Sequence, residues 1–191
     1  MAKNLDVSLM NALELLLERQ SDSKLTTPGP TSEQLEIIKQ AALRAPDHAA
    51  LKPWQFILVE GDAREKLGEI YYQAALKNNA DEKTLERAKE LPLRAPLIII
   101  CIAKYKPHAK VPRIEQVQSA GCAVMAMQQA AFAQGLAGVW RTGSYAQDEY
   151  VKQALKLSTD DELVGFLYLG SKVNDIKKSR NIDANDYFTR L

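Results

Sequence analysis

Apolar residues recur along this chain with two spacings, one typical of helices and one typical of strands. Between residues 8 and 19, the leucines at 9, 13, 16 and 17 share one face of a helix, while Glu14 and Glu18 lie away from it. Residues 97–103 form an uninterrupted apolar, β-branched run, as in a buried strand. The pattern predicts helices over residues 8–19, 32 to about 46, 63–78, 82–92, 113–134 and 147–155, and strands over residues 54–60, 97–103, 138–140 and 163–169.

Capping residues define several of these boundaries. Thr31 followed by Gln34 matches a capping box at the start of the second helix. Asp62 and Asp81 are each predicted to cap the helix that follows. Gly135 is expected to end the long helix and Gly170 the last strand, and the tail from residue 172 is polar, basic and then irregular.

The longest predicted helix is small and apolar nearly all round in its middle, residues 120–127. It would run on the order of 30 Å and be buried on most sides. It is therefore either the core helix of one chain or a helix shared with a second subunit. Since helices and strands do not alternate regularly, the sequence predicts an α+β fold with a mixed or mainly antiparallel sheet. Residues 1–191 are expected to form a single domain.

Charge and cysteine content narrow the classes of partner. The chain has 25 basic and 24 acidic residues, which gives no net field to attract nucleic acid or an acidic membrane. The first residues lack the apolar core of a secretion signal, and no apolar run is long enough to cross a bilayer. Cys101 and Cys122 lie in apolar stretches, so they are expected to stay reduced. These features predict a cytoplasmic protein that binds neither nucleic acid nor membranes.

Polar side chains are concentrated in the loop between the second helix and the first long strand. Arg44, Asp47 and His48 lie there, and Pro46 and Pro53 restrict its path. Asp47 and His48 are either an acid–base dyad or a structural pair. Neither histidine of the chain has a further ligand at metal-binding spacing, so no metal site is expected.

Two other segments carry candidate binding groups. Arg19, Gln20 and Ser21 follow the first helix, and guanidinium and hydroxyl donors there suit a phosphate. The alternative is a solvated helix end. The run Trp140, Arg141, Thr142, Gly143 ends a short strand and suits a planar, anionic ligand. Its alternative is an edge-strand tryptophan packed in the core beside an exposed Arg141.

Taken in order, these segments resemble the nitroreductase family of flavoenzymes and, within it, the YdjA-like subgroup of NAD(P)H nitroreductases. The resemblance runs along nearly the whole chain. It rests on RQSDSKL at 19–25, RAPDH at 44–48 followed by Pro53-Trp54, RAPLII at 94–99, SAGCAVMAMQ at 119–128, WRTG at 140–143 and VGFLYLG at 164–170.

The resemblance implies a sheet flanked by helices in an intertwined homodimer, with two FMN sites at the interface. It places FMN phosphate and ribityl contacts at Arg19, Gln20 and Ser21, and flavin contacts at Trp140, Arg141 and Thr142. It assigns Arg44 and His48 to the FMN held by the other subunit. It also assigns a nicotinamide contact to the segment Ala130, Ala131, Phe132, Ala133, Gln134 and Gly135.

Two departures from the wider family concern the flavin environment. The usual asparagine of the loop before Pro53-Trp54 is absent, and His48 is expected to replace part of its contact. Ser23 occupies the position where relatives tend to carry a lysine or arginine, so Lys24 or the other chain would supply the cation expected near the flavin N1 and O2 edge.

The resemblance implies an enzyme in which NAD(P)H reduces FMN and an organic acceptor, such as a nitroaromatic or quinone, then reoxidises it. The flavin carries the chemistry, so no residue is assigned as catalytic. Two alternatives remain open. One is a reductive dehalogenase or flavin-modifying enzyme on the same fold, and the other is a non-catalytic dimer that binds or stores flavin.

Overall fold

A five-stranded antiparallel sheet lies at the centre of the protein, whose computed structural model describes residues 11–174 and 182–191. The strands are β1 (Leu25–Thr26), β2 (Trp54–Glu60), β3 (Leu97–Ala103), β4 (Ala137–Arg141) and β5 (Glu162–Lys172). Residues 166–169 of β5 pair with β3 on one side and with β4 on the other, and β2 pairs with the far side of β3. The predicted α+β class with a mainly antiparallel sheet is confirmed.

Helices cover both faces of this sheet. They are α1 (Ala12–Glu18), α2 (Ser32–Ala42), α3 (Ala63–Lys77), α4 (Glu82–Glu90), α5 (Arg113–Ala133) and α6 (Glu149–Ala154). On one face, α2 and α5 pack against Leu97, Ile99 and Cys101 of β3, and on the other α3, α4 and α6 enclose Ile98 and Ile100. Because β3 is covered on both sides, all seven of its residues are buried, which explains its uninterrupted apolar sequence.

The long helix α5 is buried only on the side that faces the sheet. Ala120, Ala123, Val124, Met127 and Ala131 form that side. A strip spaced by three and four residues remains exposed on the opposite side, and we call it the α5 strip: Ile114, Gln118, Cys122 and Met125. Burial on most sides was predicted, and the strip is the exception, because no element of the described residues covers it.

Several predicted boundaries agree with the structure. The strands β2 and β3 have the predicted ends, and Thr31 and Gln34 form the predicted capping box on α2. The Asp81 side chain accepts a hydrogen bond from the Thr84 amide and caps α4. Gly135 follows α5 with a φ of 80°, as expected of a glycine that ends a helix.

Other boundaries were wrong for identifiable reasons. The Asp62 side chain makes no capping bond to α3. Gly170 does not end β5, because β1 pairs with Ser171 and Lys172 and extends the strand. Asp148 caps α6 through the Val151 amide, so this helix starts two residues later than predicted. Residues 8–10 of the first predicted helix and 175–181 of the tail lie outside the described residues.

Both cysteines are unpaired, as the sequence predicted, with Cys101 buried in β3 and Cys122 exposed on α5. None of the helices in the described ranges is long and apolar enough to cross a lipid bilayer.

Candidate functional site

The segment after α1 lies against the outer edge of β4. The Asp22 amide donates a hydrogen bond of 3.0 Å to the Gly138 carbonyl oxygen. The Gln128 side chain on α5 donates to that same oxygen at 3.1 Å and to the Ser21 hydroxyl at 3.4 Å. Ser21 is thereby fixed two strand positions from Trp140. Ser21 of the first predicted group and residues 140–142 of the second therefore lie at the same edge of the sheet.

An irregularity in β5 sets the position of Trp140. The pairing of β3 with β5 shifts register, so Val164 is left between the paired residues Leu163 and Gly165. The free Val164 carbonyl accepts a hydrogen bond of 3.1 Å from the Trp140 indole nitrogen. Trp140 remains 36% exposed. Trp140 is therefore not packed in the core, and an aromatic surface stays available at the edge.

Gly165 makes this arrangement possible. Its φ is 145°, which side-chain-bearing residues rarely adopt, and a Cβ there would lie 2.6 Å from the Arg141 carbonyl oxygen. It would also overlap the Trp140 indole nitrogen. The absence of a side chain at residue 165 thus lets the indole lie directly on the strand.

Arg141 points to the other face of the sheet, since successive strand residues alternate. It is half-buried, and its guanidinium carbon lies 5.8 Å from the centre of the Tyr168 ring. The alternative of an exposed Arg141 is therefore wrong. The tryptophan and the arginine of this motif serve different faces of the sheet.

Two cavities meet at the end of β4, and Thr142 lines both. The first, on the α5 side, has a volume of about 690 Å³, and we call it the tryptophan cavity. It is lined in part by Trp140, Val164, Gly121 and Gln118. The second, on the α3–α4 side, has a volume of about 460 Å³, and we call it the tyrosine cavity. Its lining includes Tyr71, Tyr145, Tyr168, Arg87 and Arg141.

Cations influence the tyrosines of the tyrosine cavity. The Tyr71 and Tyr145 rings stack with centroids 4.2 Å apart. Burial raises the pKa of Tyr145, and the positive charge of Arg87 opposes that rise. Burial likewise raises the pKa of Tyr168, against the charges of Arg141 and Arg94. The cavity thus combines an aromatic wall with nearby guanidinium groups.

Sequence reasoning did not identify Arg87. It lies on α4, a highly charged helix that looks like a solvated surface element. Thr84, Arg87 and Leu91 line the cavity together at spacings of three and four residues. That spacing indicates a common helix face, but nothing in the sequence indicates what the face contacts.

The loop containing Arg44 and His48 is held at the other end of α5. His48 Nδ1 lies 2.7 Å from Glu115 Oε2, in the first turn of the helix. The Ser119 hydroxyl donates a hydrogen bond to the Pro46 carbonyl oxygen. Both Arg44 and His48 are exposed. The loop presents them to solvent from the start of α5.

Asp47 has a structural role. Its carboxylate accepts hydrogen bonds from the Leu51 amide at 3.1 Å and from the Lys52 amide at 2.6 Å. The acid partner of His48 is Glu115 instead. The acid–base dyad of neighbouring residues is therefore not formed, and the alternative of a structural aspartate is the one observed.

Within one chain, the contacts of Ser21 and of His48 lie at different ends of α5. His48 contacts Glu115, whereas Ser21 contacts Gln128, thirteen residues further along α5. At 1.5 Å per residue, these two contacts are separated by about 20 Å along the helix axis. The α5 strip lies along the exposed side of this same stretch.

The remaining predicted residues lie away from both cavities. Lys24 is exposed, and its amide donates to the Asp22 carboxylate. The segment 130–135 ends α5 next to α2, where the Gln134 side chain donates to the Gln34 carbonyl oxygen at 3.3 Å. Lys172 lies over the Phe132 ring at 5.4 Å. None of the residues 130–135 lines the tryptophan or the tyrosine cavity.

No group of three or more histidine, cysteine or carboxylate side chains able to hold a metal occurs within the described parts of the chain. The chemistry available to the site is that of guanidinium, hydroxyl and aromatic groups beside an exposed strand edge. Such groups suit a planar, anionic ligand.

The fold and its motifs define a nitroreductase: the nitroreductase family model matches residues 16–171, and the chain belongs to this family. It is 47% identical over 177 residues to the Escherichia coli K12 protein named "Putative NAD(P)H nitroreductase YdjA", covering 93% of this chain and 96% of that one. A Haemophilus influenzae protein named "Putative NAD(P)H nitroreductase" is 39% identical over 184 residues, covering 95% of this chain and all of that one.

Solved structures share the fold at lower sequence identity. A nitroreductase-like family protein from Bacillus cereus superposes with a TM-score of 0.82 at 20% identity, covering 100% of this chain and 98% of that one. A nitroreductase with bound FMN from Bacteroides fragilis gives a TM-score of 0.72 at 21% identity, covering 95% of this chain and 100% of that one. At these identities the likeness establishes the fold alone.

Proposed function

We propose that this protein is an FMN-dependent oxidoreductase that passes electrons from NAD(P)H to an organic acceptor such as a nitroaromatic or a quinone. Family membership and the names of the two close relatives support this proposal. Bound FMN would supply the hydride-transfer chemistry, while the protein supplies binding, orientation and electrostatics. We propose that the whole chain is one FMN-binding domain that works in the cytoplasm, a reducing compartment that suits its two free cysteines.

The observation that carries the proposal is that Ser21 and the residues 140–142 lie at the same outer edge of β4. Arg19, Gln20 and Ser21 would hold the phosphate and ribityl chain, with hydroxyl and guanidinium donors. Trp140, Arg141 and Thr142 would lie along the flavin ring. The surroundings fit such a ligand, because an aromatic surface, two adjoining cavities and the Arg141 guanidinium lie at the end of this strand.

We further propose that the site is completed by a second copy of the chain. Arg44 and His48 are exposed and lie about 20 Å along α5 from the contact of Ser21. The α5 strip between these two ends exposes Ile114 and Met125, and α1 exposes three leucines beside it. Packing two such surfaces together would bury apolar area and carry the loop of one chain to the flavin of the other.

The assignments of Lys24 to the flavin edge and of residues 130–135 to the nicotinamide stay predictions. For the donor, anaerobic reduction of FMN-loaded protein by NADH and by NADPH measures the preference directly. For the acceptor, reoxidation by a nitroaromatic, a quinone and a halogenated phenol compares the three chemistries. Bound FMN that neither nucleotide reduces would contradict the proposed enzyme and leave a flavin-binding dimer.

Mixed dimers provide the sharpest test of the shared site. We expect Arg19→Ala and Arg44→Ala homodimers each to lose FMN affinity at both of their sites. A heterodimer that combines one chain of each variant would place both substitutions in one site and leave the other intact. Differently tagged subunits, co-expressed and purified through both tags, should therefore bind one FMN per dimer with wild-type affinity.

Homodimers of the two variants, carried through the same purification, are the control. If Arg19 and Arg44 served one site within a single chain, neither site of the heterodimer would be intact. Heterodimers that bind FMN as weakly as the homodimers would therefore exclude the shared site while leaving flavin binding itself established.

A further inference from the structure

The tyrosine cavity lies on the face of the sheet opposite the edge proposed for the flavin ring. It is built on the α3–α4 side, whereas Trp140 and α5 line the tryptophan cavity on the other side. Thr142, at the end of β4, is the only described residue that lines both cavities. The proposed flavin site therefore leaves the other side chains of the tyrosine cavity without a function.

Aromatic rings form the inner wall of the tyrosine cavity. Tyr71, Phe166 and Tyr168 are all buried there. The Tyr71 ring meets the Phe166 ring edge-on, with centroids 5.5 Å apart, and stacks on Tyr145 at its other side. Such a wall suits a planar aromatic ring, because stacked and edge-on ring contacts are favourable beyond the apolar area that they bury.

The same wall contains a hydroxyl group that the fold leaves unpaired. Tyr71 is 1% exposed, and its hydroxyl makes no hydrogen bond within the described residues. Burial raises the pKa of Tyr71, and the neighbouring Tyr168 and Tyr145 add to the rise, so the hydroxyl keeps its proton. A buried hydroxyl without a partner is costly, and a ligand that accepts its hydrogen bond would offset that cost.

Two guanidinium groups adjoin the aromatic wall. Arg141 is half-buried and lies over the Tyr168 ring, and Arg87 is exposed at the rim of the cavity. Neither arginine takes part in an ion pair within the described residues. No carboxylate occurs among the described residues that line the cavity.

One carboxylate influences the cavity from outside its lining. Asp148 raises the pKa of Tyr145, but it accepts hydrogen bonds from the Val151 amide and the Asn78 side chain. An anion from solution can therefore pair with a guanidinium of the cavity without displacing a carboxylate of the protein.

These features together select a class of ligand. A guanidinium binds a carboxylate through charge-assisted and often bidentate hydrogen bonds. The single half-buried guanidinium, that of Arg141, matches the single charge of a carboxylate, and the tyrosine wall matches an aromatic ring attached to it. The cavity volume of about 460 Å³ lies within the range of pockets that hold small organic ligands, roughly 300–1,000 Å³.

We propose that the tyrosine cavity is a second binding site of this protein, which takes a planar aromatic carboxylate on the face of the sheet opposite the flavin. Arg141 pairs with the carboxylate, Arg87 assists at the rim, and the ring lies against the tyrosine wall. Residue 141 can still contact the flavin through its backbone, since its side chain lines the tyrosine cavity. The inference does not require FMN, so its failure would leave the proposed function intact.

The test is isothermal titration calorimetry of the FMN-loaded protein with three probes of similar shape. The first is 2-naphthoate, a planar aromatic carboxylate. The second, 2-naphthamide, keeps the rings without the charge, and the third, decahydro-2-naphthoate, keeps the charge without the planar rings. We expect 2-naphthoate to bind at one site per chain, and each of the other two probes to bind at least about tenfold more weakly.

Variants locate the bound probe. We expect Arg141→Met to weaken 2-naphthoate binding at least about tenfold, and Arg87→Met about threefold because that guanidinium is exposed. Lys66→Met, on the exposed side of α3 and away from both cavities, is the matched control for one lost positive charge and should bind like the wild type. Gln118→Ala alters the tryptophan cavity and should also bind like the wild type.

The FMN content of every variant is measured before the titration. Arg87 lies outside the segments assigned to flavin binding, so Arg87→Met keeps the test valid even if Arg141→Met fails to load FMN. Failure of the wild-type protein to take up FMN would overturn the proposed function alone, and titration of the FMN-free protein would then test the cavity.

Three results would overturn the inference. One is equal affinity of the wild type for 2-naphthoate and 2-naphthamide, or no binding of either. Another is wild-type affinity for 2-naphthoate in both Arg87→Met and Arg141→Met. The third is a loss of binding confined to Gln118→Ala, which would place the probe in the tryptophan cavity.

Discussion

The two groups of candidate residues are held in different ways. The group at β4 is fixed by the sheet, through the Asp22–Gly138 hydrogen bond and the irregularity at Val164 that receives the Trp140 indole. The loop with Arg44 and His48 is attached to α5 by a few polar contacts, among them His48–Glu115. The proposed site therefore joins a half fixed by the sheet and a half held by a few polar contacts.

Backbone conformation sharpens the contrast. Within the loop, Ala49, Ala50 and Lys52 have φ values between 51° and 62°, although none is a glycine. Such conformations cost about 1 kcal/mol each and persist only where contacts enforce them. The loop is thus more sensitive to the loss of single polar contacts, whereas the β4 edge is more sensitive to steric change.

The largest effect is expected from a charge on the surface that would join the two halves. Met125→Glu places a carboxylate in the middle of the α5 strip, where Met125 is 38% exposed. Burying that unpaired charge against a second chain costs several kcal/mol. We expect a monomer by sedimentation velocity and at least a hundredfold loss of FMN affinity.

Leu76→Glu, on the exposed surface of α3 on the other side of the sheet, is the control for adding a carboxylate at an apolar surface position. It should leave both properties unchanged. A Met125→Glu protein that remains dimeric with full FMN affinity would place the second half of the site elsewhere.

The next effect concerns the half fixed by the sheet. In Gly165→Ala, the new methyl group would meet the Arg141 carbonyl oxygen and the Trp140 indole, in a backbone conformation already unfavourable for alanine. We expect a loss of about 3 kcal/mol in unfolding free energy and an FMN affinity more than tenfold lower. Urea denaturation and flavin fluorescence titration measure the two.

Gly61→Ala separates strain from overlap. Gly61 also has a positive φ, of 54°, but a Cβ there would meet nothing within 4 Å. It should cost only about 1 kcal/mol and leave FMN binding unchanged. Equal losses in the two variants would show that the Trp140 contact has no special role.

The smallest effect is expected in the loop. Asp47→Ala removes the acceptor of the Leu51 and Lys52 amides, while Asp47→Asn keeps one of its oxygens. We expect about 1 kcal/mol less stability for the alanine variant and about fivefold weaker FMN binding as Arg44 and His48 lose their position. If Asp47→Ala weakened FMN binding while Arg44→Ala did not, the result would contradict this explanation and indicate a direct contact between Asp47 and the cofactor.

The elements that the sequence predicts best are those whose pattern depends only on neighbouring residues. The strands β2 and β3 and the capping box at Thr31 follow from neighbouring residues, and all three were predicted correctly. The two-residue strand β1 was missed, because only its pairing with Ser171 and Lys172 makes it a strand. A segment of that length has no periodicity to detect.

The candidate site divides in the same way. The order of motifs identified Arg19, Arg44, His48 and Trp140 as site candidates, although no single motif was specific. The partner of His48 could not be predicted, because Glu115 is 67 residues away in the chain. Arg87 was missed for a similar reason, since only the packing of α4 against α3 brings it to the tyrosine cavity.

The exposed position of Trp140 on the strand has an optical consequence. The chain has only two tryptophans, and the other, Trp54, is half-buried at the start of β2. Replacing Trp54 by phenylalanine would leave a single emitter at the edge of β4. A yellow chromophore bound beside it would absorb its emission. Quenching of this single tryptophan's fluorescence would therefore report the fraction of protein that has bound the chromophore, without any added label.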